Sequence, residues 1–398
     1  MGMLDGICVL DFTMNVAGPT AAMTMADYGA TVIKVERPVG GDDARAFAPI
    51  IDGQSLTYGW LNHGKSSITV DLTDPEGIAL IKKILPKVNV VIESYRPGIM
   101  ERFGLDYESV CEIRPDIVYV SVSAFGQKGP YAKRPGYDLI AQAMSGVMSL
   151  TGEADGPPMK SGLTLGDMVG GINAFAAAMT ALFHWKCTGV GQHVDVALVH
   201  GMIWMNTALE HGNLGRCSTR QGNHHPTLCP YGLFEGKGDQ SIIIAAANKK
   251  TWESLCDVIE RPDLKNDPRF EILTTRNQNQ KELIPHIEAW LEQFDDISEA
   301  AALLEAAGVP CCKVYDNNDV LDEAHFRENK WIIEVPVMPG VTSIDTVVTR
   351  GSNALFSKEP GVYKPAPALG EHNHKVLEHF GIDAAEIDRL QEKWTQKK

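Results

Sequence analysis

The run GPPMKSGLTLGDMVGG, residues 156–171, sets one carboxylate, Asp167, among glycines at the start of a stretch rich in small residues. Two chemistries fit that placement. A first-turn Asp complements the positive end of a helix dipole and accepts from backbone N–H groups that lack partners. An exposed carboxylate can instead act as a nucleophile. Flanking glycines would then let a bulky ligand approach and leave backbone N–H groups to hold an oxyanion.

A second pattern is cationic. Lys34, Arg37, Lys65, Arg96, Arg102, Lys128, Lys133 and Arg134 fall at or just after expected strand ends. In an open parallel sheet the carboxyl ends of the strands border the ligand crevice. Arg's forked donors suit phosphate oxygens there. Each cation alone reads as a solvated surface charge. Together, in a chain with 36 Lys+Arg against 51 Asp+Glu and a net charge of −15, they point to a phosphate-bearing ligand. The acidic balance argues against a nucleic-acid footprint. The sequence has no G-x-x-x-x-G-K-[ST] loop, and no G-x-G-x-x-G follows the first strand. It also lacks a G-x-S-x-G elbow and an H-E-x-x-H helix, which lowers the serine-hydrolase and zinc-protease readings. No metal site is expected.

The elements that must carry these groups alternate between strand and helix. Residues 7–12 (ICVLDF), 31–36 (TVIKVE), 67–72 (SITVDL), 90–93 (VVIE) and 116–123 (DIVYVSVS) read as strands. Between them lie helical stretches at 20–28, closed by Gly29, and from Asp74-Pro75-Glu76 to about Leu85, opened by an N-cap and a proline at the first helical position. This βαβ alternation predicts a parallel sheet. Helices are expected at 137–149 and 166–186, a strand at 192–198, and a long helix around 202–214.

Composition shifts to polar and turn-rich over 216–240, and mostly amphipathic helix follows over 250–308. We place a large domain at 1–200, a linker helix and loop at 201–225, a small α+β domain at 226–325, and a linker with a return to the large domain at 326–398. The eight cysteines include no C-x-x-C pair, which fits reduced thiols and a cytoplasmic protein. Cys311 and Cys312 are expected to be buried thiols. No leader pattern is visible at the N-terminus, and no segment offers 18 uninterrupted apolar residues, so no membrane role is expected.

The ordered motifs LDGICVLDF, AGP at 17–19, DYGATVIKVERP, GDDAR, LNHGKSSITVDL, ESYRPG, SAFGQKGP, GYDLIAQAMSG, GPPMKSGLTLGDMVGG, TGVGQHVDVAL and ALGEHNHKVLEHFGI run nearly end to end. The chain resembles the class III coenzyme A transferases, the family of formyl-CoA, carnitine and bile-acid CoA-transferases. That resemblance implies an α/β fold: a Rossmann-like large domain with a parallel sheet, built from both termini, plus a smaller inserted α+β domain. It also implies an interlocked homodimer. Asp167 matches the position of a nucleophile that forms an aspartyl anhydride and then an aspartyl-CoA thioester. CoA and acyl-CoA are then substrates, with a small carboxylic acid as the other partner and no permanently bound cofactor. A thioester is exchanged for a thioester, so the balance requires neither ATP nor a metal. An Asp is ionised at neutral pH without a partner base.

By the same resemblance, Arg37, Leu72 and Thr73 match positions near the adenine end of CoA. Ser94, Tyr95 and Arg96 match a loop along it, and Arg102 a phosphate contact. Tyr137 and Asp138 match the pantetheine end, and Val16 and Ala17 the loop beside the thioester. Some members carry Gln in place of Val16, with Asn15 the neighbouring substitute, and Lys in place of Pro135, with Lys133 or Arg134 to cover that charge. The family's glycine-rich flap is not recognisable; only Cys229-Pro230-Tyr231-Gly232 lies in that region, near the paired loop histidines His224 and His225. Two alternatives stay open. One is an acyl-CoA racemase or epimerase on the same fold, which needs a second acid–base residue where this chain has Tyr137, a poor proton shuttle at its ordinary pKa of ~10. The other is a non-catalytic acyl-CoA-binding protein. The segment before Asp167 is similar to that of formyl-CoA:oxalate transferases, which tilts the acid toward a small carboxylic or dicarboxylic one.

Overall fold

The structure is a computed structural model that describes residues 2–215, 220–359, 361 and 363–396. Part of the expected linker, 216–219, and the extreme ends of the chain lie outside the described residues. Six parallel strands form the main sheet, in the order Ser66–Thr69, Thr31–Glu36, Cys8–Phe12, Val90–Glu93, Val118–Ser123, Gln192–Ala197. In chain order that is 3-2-1-4-5-6, the Rossmann arrangement. It reverses direction between Cys8–Phe12 and Val90–Glu93, where a crevice opens at the strands' carboxyl ends.

The apolar runs form strands because both sheet faces are covered, so successive residues serve opposite layers. Leu10, Ile33, Ile68, Val91 and Tyr119 pack on one side with Leu80, Ile81 and Ile84 of the Pro75–Ile84 helix. The C-terminal return reaches the same side as two helices, Asn373–His379 and Ala384–Thr395, which bury Leu377, Leu390 and Trp394 there. Val9, Val32, Val90, Ile92, Val118 and Val120 face the other layer, made by the helices Ala17–Asp27 and Leu165–Thr188. Gly29, at φ +102, turns the chain out of the first of these helices into the next strand.

The 24-residue Leu165–Thr188 helix is apolar enough by length and composition to cross a membrane. In the fold, Gly170, Gly171, Ala174, Ala178 and Ala181 are buried, while Ile172 and Phe183 are exposed.

Two helices expected to be continuous are broken. The 137–149 stretch splits into Asp138–Met144 and Val147–Leu150 at Gly146, which sits at φ +85. The 202–214 stretch splits into Leu198–Met205 and Leu209–Asn213. At that break Asn206 accepts from the Ala208 N–H and donates to the Ser145 carbonyl, a local pairing that competes with the helix ladder.

The chain divides into two compact units. One comprises 1–147, 161–210 and 324–398; the other 148–160 and 211–323. Within the second unit, Arg220 donates to the carbonyls of Ser149, Glu153 and Gly156, tying 148–160 to the later segment. Its three-stranded antiparallel sheet, Cys311–Lys313, Ser241–Ala245, Tyr231–Glu235, packs with helices around Phe234, Ile242, Trp252, Leu255 and Leu291. The Cys229–Gly232 segment is therefore an entry into this sheet, with Cys229 buried in the core. Cys312 is exposed and Cys311 half-buried, against the expectation, because alternation on a short edge strand turns one of two adjacent side chains outward.

Candidate active site

Asp167 is the third residue of the Leu165–Thr188 helix, and the N-cap, Thr164, makes no side-chain cap bond. The cap comes from elsewhere. The buried Asp138, first residue of its own helix, accepts from the Gly166 N–H through Oδ1 at 2.6 Å. Its Oδ2 accepts from Gln142 Nε2 at 2.8 Å. Gln142 is wholly buried, and its Oε1 accepts from the Ser161 N–H at 2.9 Å, pinning the approach to the helix. Dipole complementation is thus supplied by Asp138. Among the described residues no hydrogen bond or ion pair engages the half-buried Asp167 carboxylate. Burial, and then the negative charge of Asp138, push its pKa up to about 6.

The glycines around Asp167 do a different job from the one expected. A Cβ on Gly171 would come within 2.8 Å of the Ala17 carbonyl oxygen and of Thr20 Cβ, and one on Gly170 within 2.3 Å of Leu198. Gly166 is buried against Asp138 and Ala141, and its N–H is already taken. These three glycines admit neighbouring helices, while Gly162 faces open space. Gly171 seats the Asp167 helix flush on Ala17–Asp27, whose first residues follow the loop after Cys8–Phe12.

The strand-end residues line separate hollows. At the switch point, Met14, Asn15, Ser94, Tyr95, Arg96, Arg134 and Tyr137 border one of about 200 Å³. Ser94 Oγ accepts from the Met14 N–H at 2.9 Å and so ties the two loops of the crevice together. Arg37, Leu72, Thr73 and Tyr95 share a second, of about 310 Å³. Arg102 joins Leu72 and Thr73 in a third. Val16 lines a fourth, apolar hollow, together with Thr164 and Met168 on either side of Asp167. Ala17 and Asp138 are buried and line none of the four. Tyr137 is 67% exposed. Asn15 holds φ +66 and donates its N–H to Asp42.

The cations divide into two kinds. Lys34 and Lys65 are buried and fully engaged, so they are not phosphate ligands. Lys34 Nζ lies 2.7 Å from Asp42 and donates to the Thr13 carbonyl. Lys65 Nζ donates to Asp11, Asn62 Oδ1 and the Pro19 carbonyl. Burial pulls Lys65 down to about 8, against the attraction of Asp11. Burial also opposes the charge on Lys34, but Asp42, Asp11 and Glu36 outweigh it and raise that ammonium. Glu36 in turn holds Arg45, Ser67 and Tyr58. The network fixes the loops that follow the first two strands. By contrast, Arg96, Arg102, Lys128, Lys133 and Arg134 meet no carboxylate among the described residues. Arg134 stacks on Tyr131. Arg37 is exposed and pairs with Asp43.

His225 Nδ1 accepts from the Thr227 and Leu228 N–H groups, a turn-forming role. Burial lowers the pKa of His224. The described residues hold no group of three or more His, Cys, Asp or Glu placed to grip a metal. Sequence reasoning missed Gln142, whose signal is its i,i+4 spacing from Asp138, and Asp11 and Asp42, whose partners are remote in sequence.

A Rossmann-type crevice rimmed by cations that meet no carboxylate, in the same unit as an unpaired carboxylate at a helix start, fits an enzyme for phosphate-bearing substrates. The model of "CoA-transferase family III" matches residues 4–373, and the chain belongs to that family. It is 36% identical to the succinyl-CoA:mesaconate CoA-transferase of Haloarcula marismortui, over 96% of this chain and 98% of that protein. It is 34% identical to the succinyl-CoA:glutarate CoA-transferase of Mus musculus, over 98% and 89% respectively. A solved structure of a CAIB/BAIF family protein from Brucella suis superposes with a TM-score of 0.85 at 33% identity, covering 95% of this chain and 99% of that one. The protein is a CoA-transferase, and acyl-CoA is its substrate.

Proposed function

We propose that CoA transfer runs through Asp167, from an acyl-CoA donor to a free carboxylic acid. The reading is carried by one observation: the carboxylate is neither capping nor paired, because Asp138 caps its helix. With a pKa of about 6 it is ionised roughly ten to one at pH 7, and more basic than an ordinary Asp.

An Asp167 oxygen attacks the thioester carbonyl; the C–S bond breaks, CoA leaves as thiolate, and the acyl group stays on Asp167 as a mixed anhydride. The thiolate attacks the aspartyl carbonyl, releasing the donor acid as carboxylate and leaving an aspartyl-CoA thioester. The acceptor carboxylate then displaces the thiolate to form a second anhydride. Attack of the thiolate on the acceptor-derived carbonyl gives the new acyl-CoA and restores Asp167. No net proton is consumed.

In this reading Arg37, Leu72, Thr73, Tyr95, Arg96 and Arg102 follow the adenosine and phosphates. Ser94 holds the crevice loops. Val16, Ala17, Tyr137 and Asp138 frame the reacting end, and Lys133 or Arg134 supplies charge there. The protein acts in the cytoplasm as an interlocked homodimer, for which exposed Phe183 and Trp204, 72% and 80% accessible, offer apolar surface to a second copy.

The test is turnover with an acceptor acid labelled with ¹⁸O in its carboxylate, followed by peptide mass mapping. Each cycle should leave one acceptor oxygen on Asp167. Product that accumulates while this residue stays unlabelled would refute the route.

A further inference from the structure

A hollow of about 860 Å³ in the large unit runs from the first turn of the Asp167 helix, at Thr164 and Met168, to the hairpin that carries Arg350. Its walls are mostly apolar, and Arg350 is the one charged residue among the described residues that line it. The guanidinium carbon sits 3.5 Å from the centroid of the Trp60 ring. Such stacking fixes the plane of the fork and leaves its edge N–H groups unused.

The chain contains a control for this arrangement. Arg276 also lies over a tryptophan, Trp252, at 4.7 Å. It is 2% exposed, and its N–H groups donate to the carbonyls of Cys229, Phe270, Glu271 and Ala247. That arginine is consumed by its own fold. Arg350 is exposed, and no hydrogen bond or ion pair engages its guanidinium among the described residues.

A lone planar fork at the mouth of an apolar chamber matches a carboxylate on an aliphatic spacer. The unpaired cations suited to phosphate line other hollows, at the strand ends. We propose that Arg350, held flat by Trp60, anchors the remote carboxylate of an aliphatic dicarboxylic substrate whose other carboxyl group reacts at Asp167. The same anchor serves the free acid and the acyl group of its CoA thioester. This assignment rests on the reading above, and it adds the residue that selects the substrate class.

The experiment compares kcat/KM for succinate and glutarate with that for butyrate and pentanoate as acceptors, offering acetyl-, butyryl- and succinyl-CoA in turn as donors. In Arg350→Met the dicarboxylate-to-monocarboxylate ratio should fall about 10- to 100-fold, as expected for loss of a charge-assisted bond. Arg350→Lys should recover part of it, since a point charge lacks the fork. Should Arg350→Met not fold, Arg350→Gln and Trp60→Leu read the same ratio. A ratio unmoved by these changes overturns the anchor. If wild-type protein transfers CoA to these acids and the variants keep its ratio, the anchor alone falls. Wild-type protein that transfers CoA to no acid sinks the reading of the preceding section as well.

Discussion

Two clusters of carboxylates lie within the same unit and have opposite fates. Beneath the first three strands, Asp11, Glu36 and Asp42 are buried and matched by Lys34, Arg45 and Lys65. At the start of the Leu165–Thr188 helix, Asp138 and Asp167 are neighbours with no cation paired to either among the described residues. Neutralised charge holds loops in place. At Asp167, burial and the neighbouring negative charge raise the pKa and leave the carboxylate unpaired. The buried pairs thus build the frame that also carries an unpaired carboxylate.

The sharpest way to break this contrast is to unbalance the paired cluster. Lys65→Met leaves Asp11 buried beside a missing partner and should cost about 3–5 kcal/mol of stability. Urea unfolding measures it, and a loss under about 1 kcal/mol would show that the network relaxes freely.

A smaller effect is expected at Asp138. Replacing it with Asn removes the charge that helps raise Asp167, so the acid limb of the kcat/KM profile should move to lower pH from its place near 6. Loss of the charge-assisted bonds to Gly166 and Gln142 should also cost about 1–2 kcal/mol. An unmoved limb would leave burial as the sole cause of the shift.

The smallest effect on stability lies at Asp167 itself. A carboxyl whose pKa is raised by folding costs stability above its folded value, about 6, and that cost disappears as pH falls below its unfolded value of ~3.9. Asp167→Asn should therefore be more stable than wild type by about 1 kcal/mol at pH 8, after discounting for solvent. The gap should close by pH 4. Thermal unfolding at the two pH values decides it, and an equal gap at both would remove the electrostatic account.

Much of this fold was legible in the chain. The 90–93 strand, the Asp74-Pro75 helix start and the Gly29 stop carry local signals that tertiary structure left alone. Asp167 was legible as a nucleophile candidate, but its freedom from capping was not, because the substitute cap comes from 28 residues earlier. Lys34 and Lys65 looked like ligand cations because position at a strand end is visible in sequence while burial is not. The partners that bury them, Asp11 and Asp42, meet them only through the sheet and its loops. Arg350 has no motif around it. It gains meaning when the Ile332–Pro336 and Thr346–Arg350 hairpin lines the same hollow as Trp60.

The missing side chains at Gly170 and Gly171 reach beyond packing. They pack the Asp167 helix closely against Ala17, Thr20 and Leu198, so the wall of the apolar hollow nearest Asp167 tolerates little remodelling. Divergence toward new acids is channelled to the opposite wall, where a two-stranded hairpin outside the main sheet can change shape without disturbing the strands. Directed evolution of acid preference should begin on that hairpin.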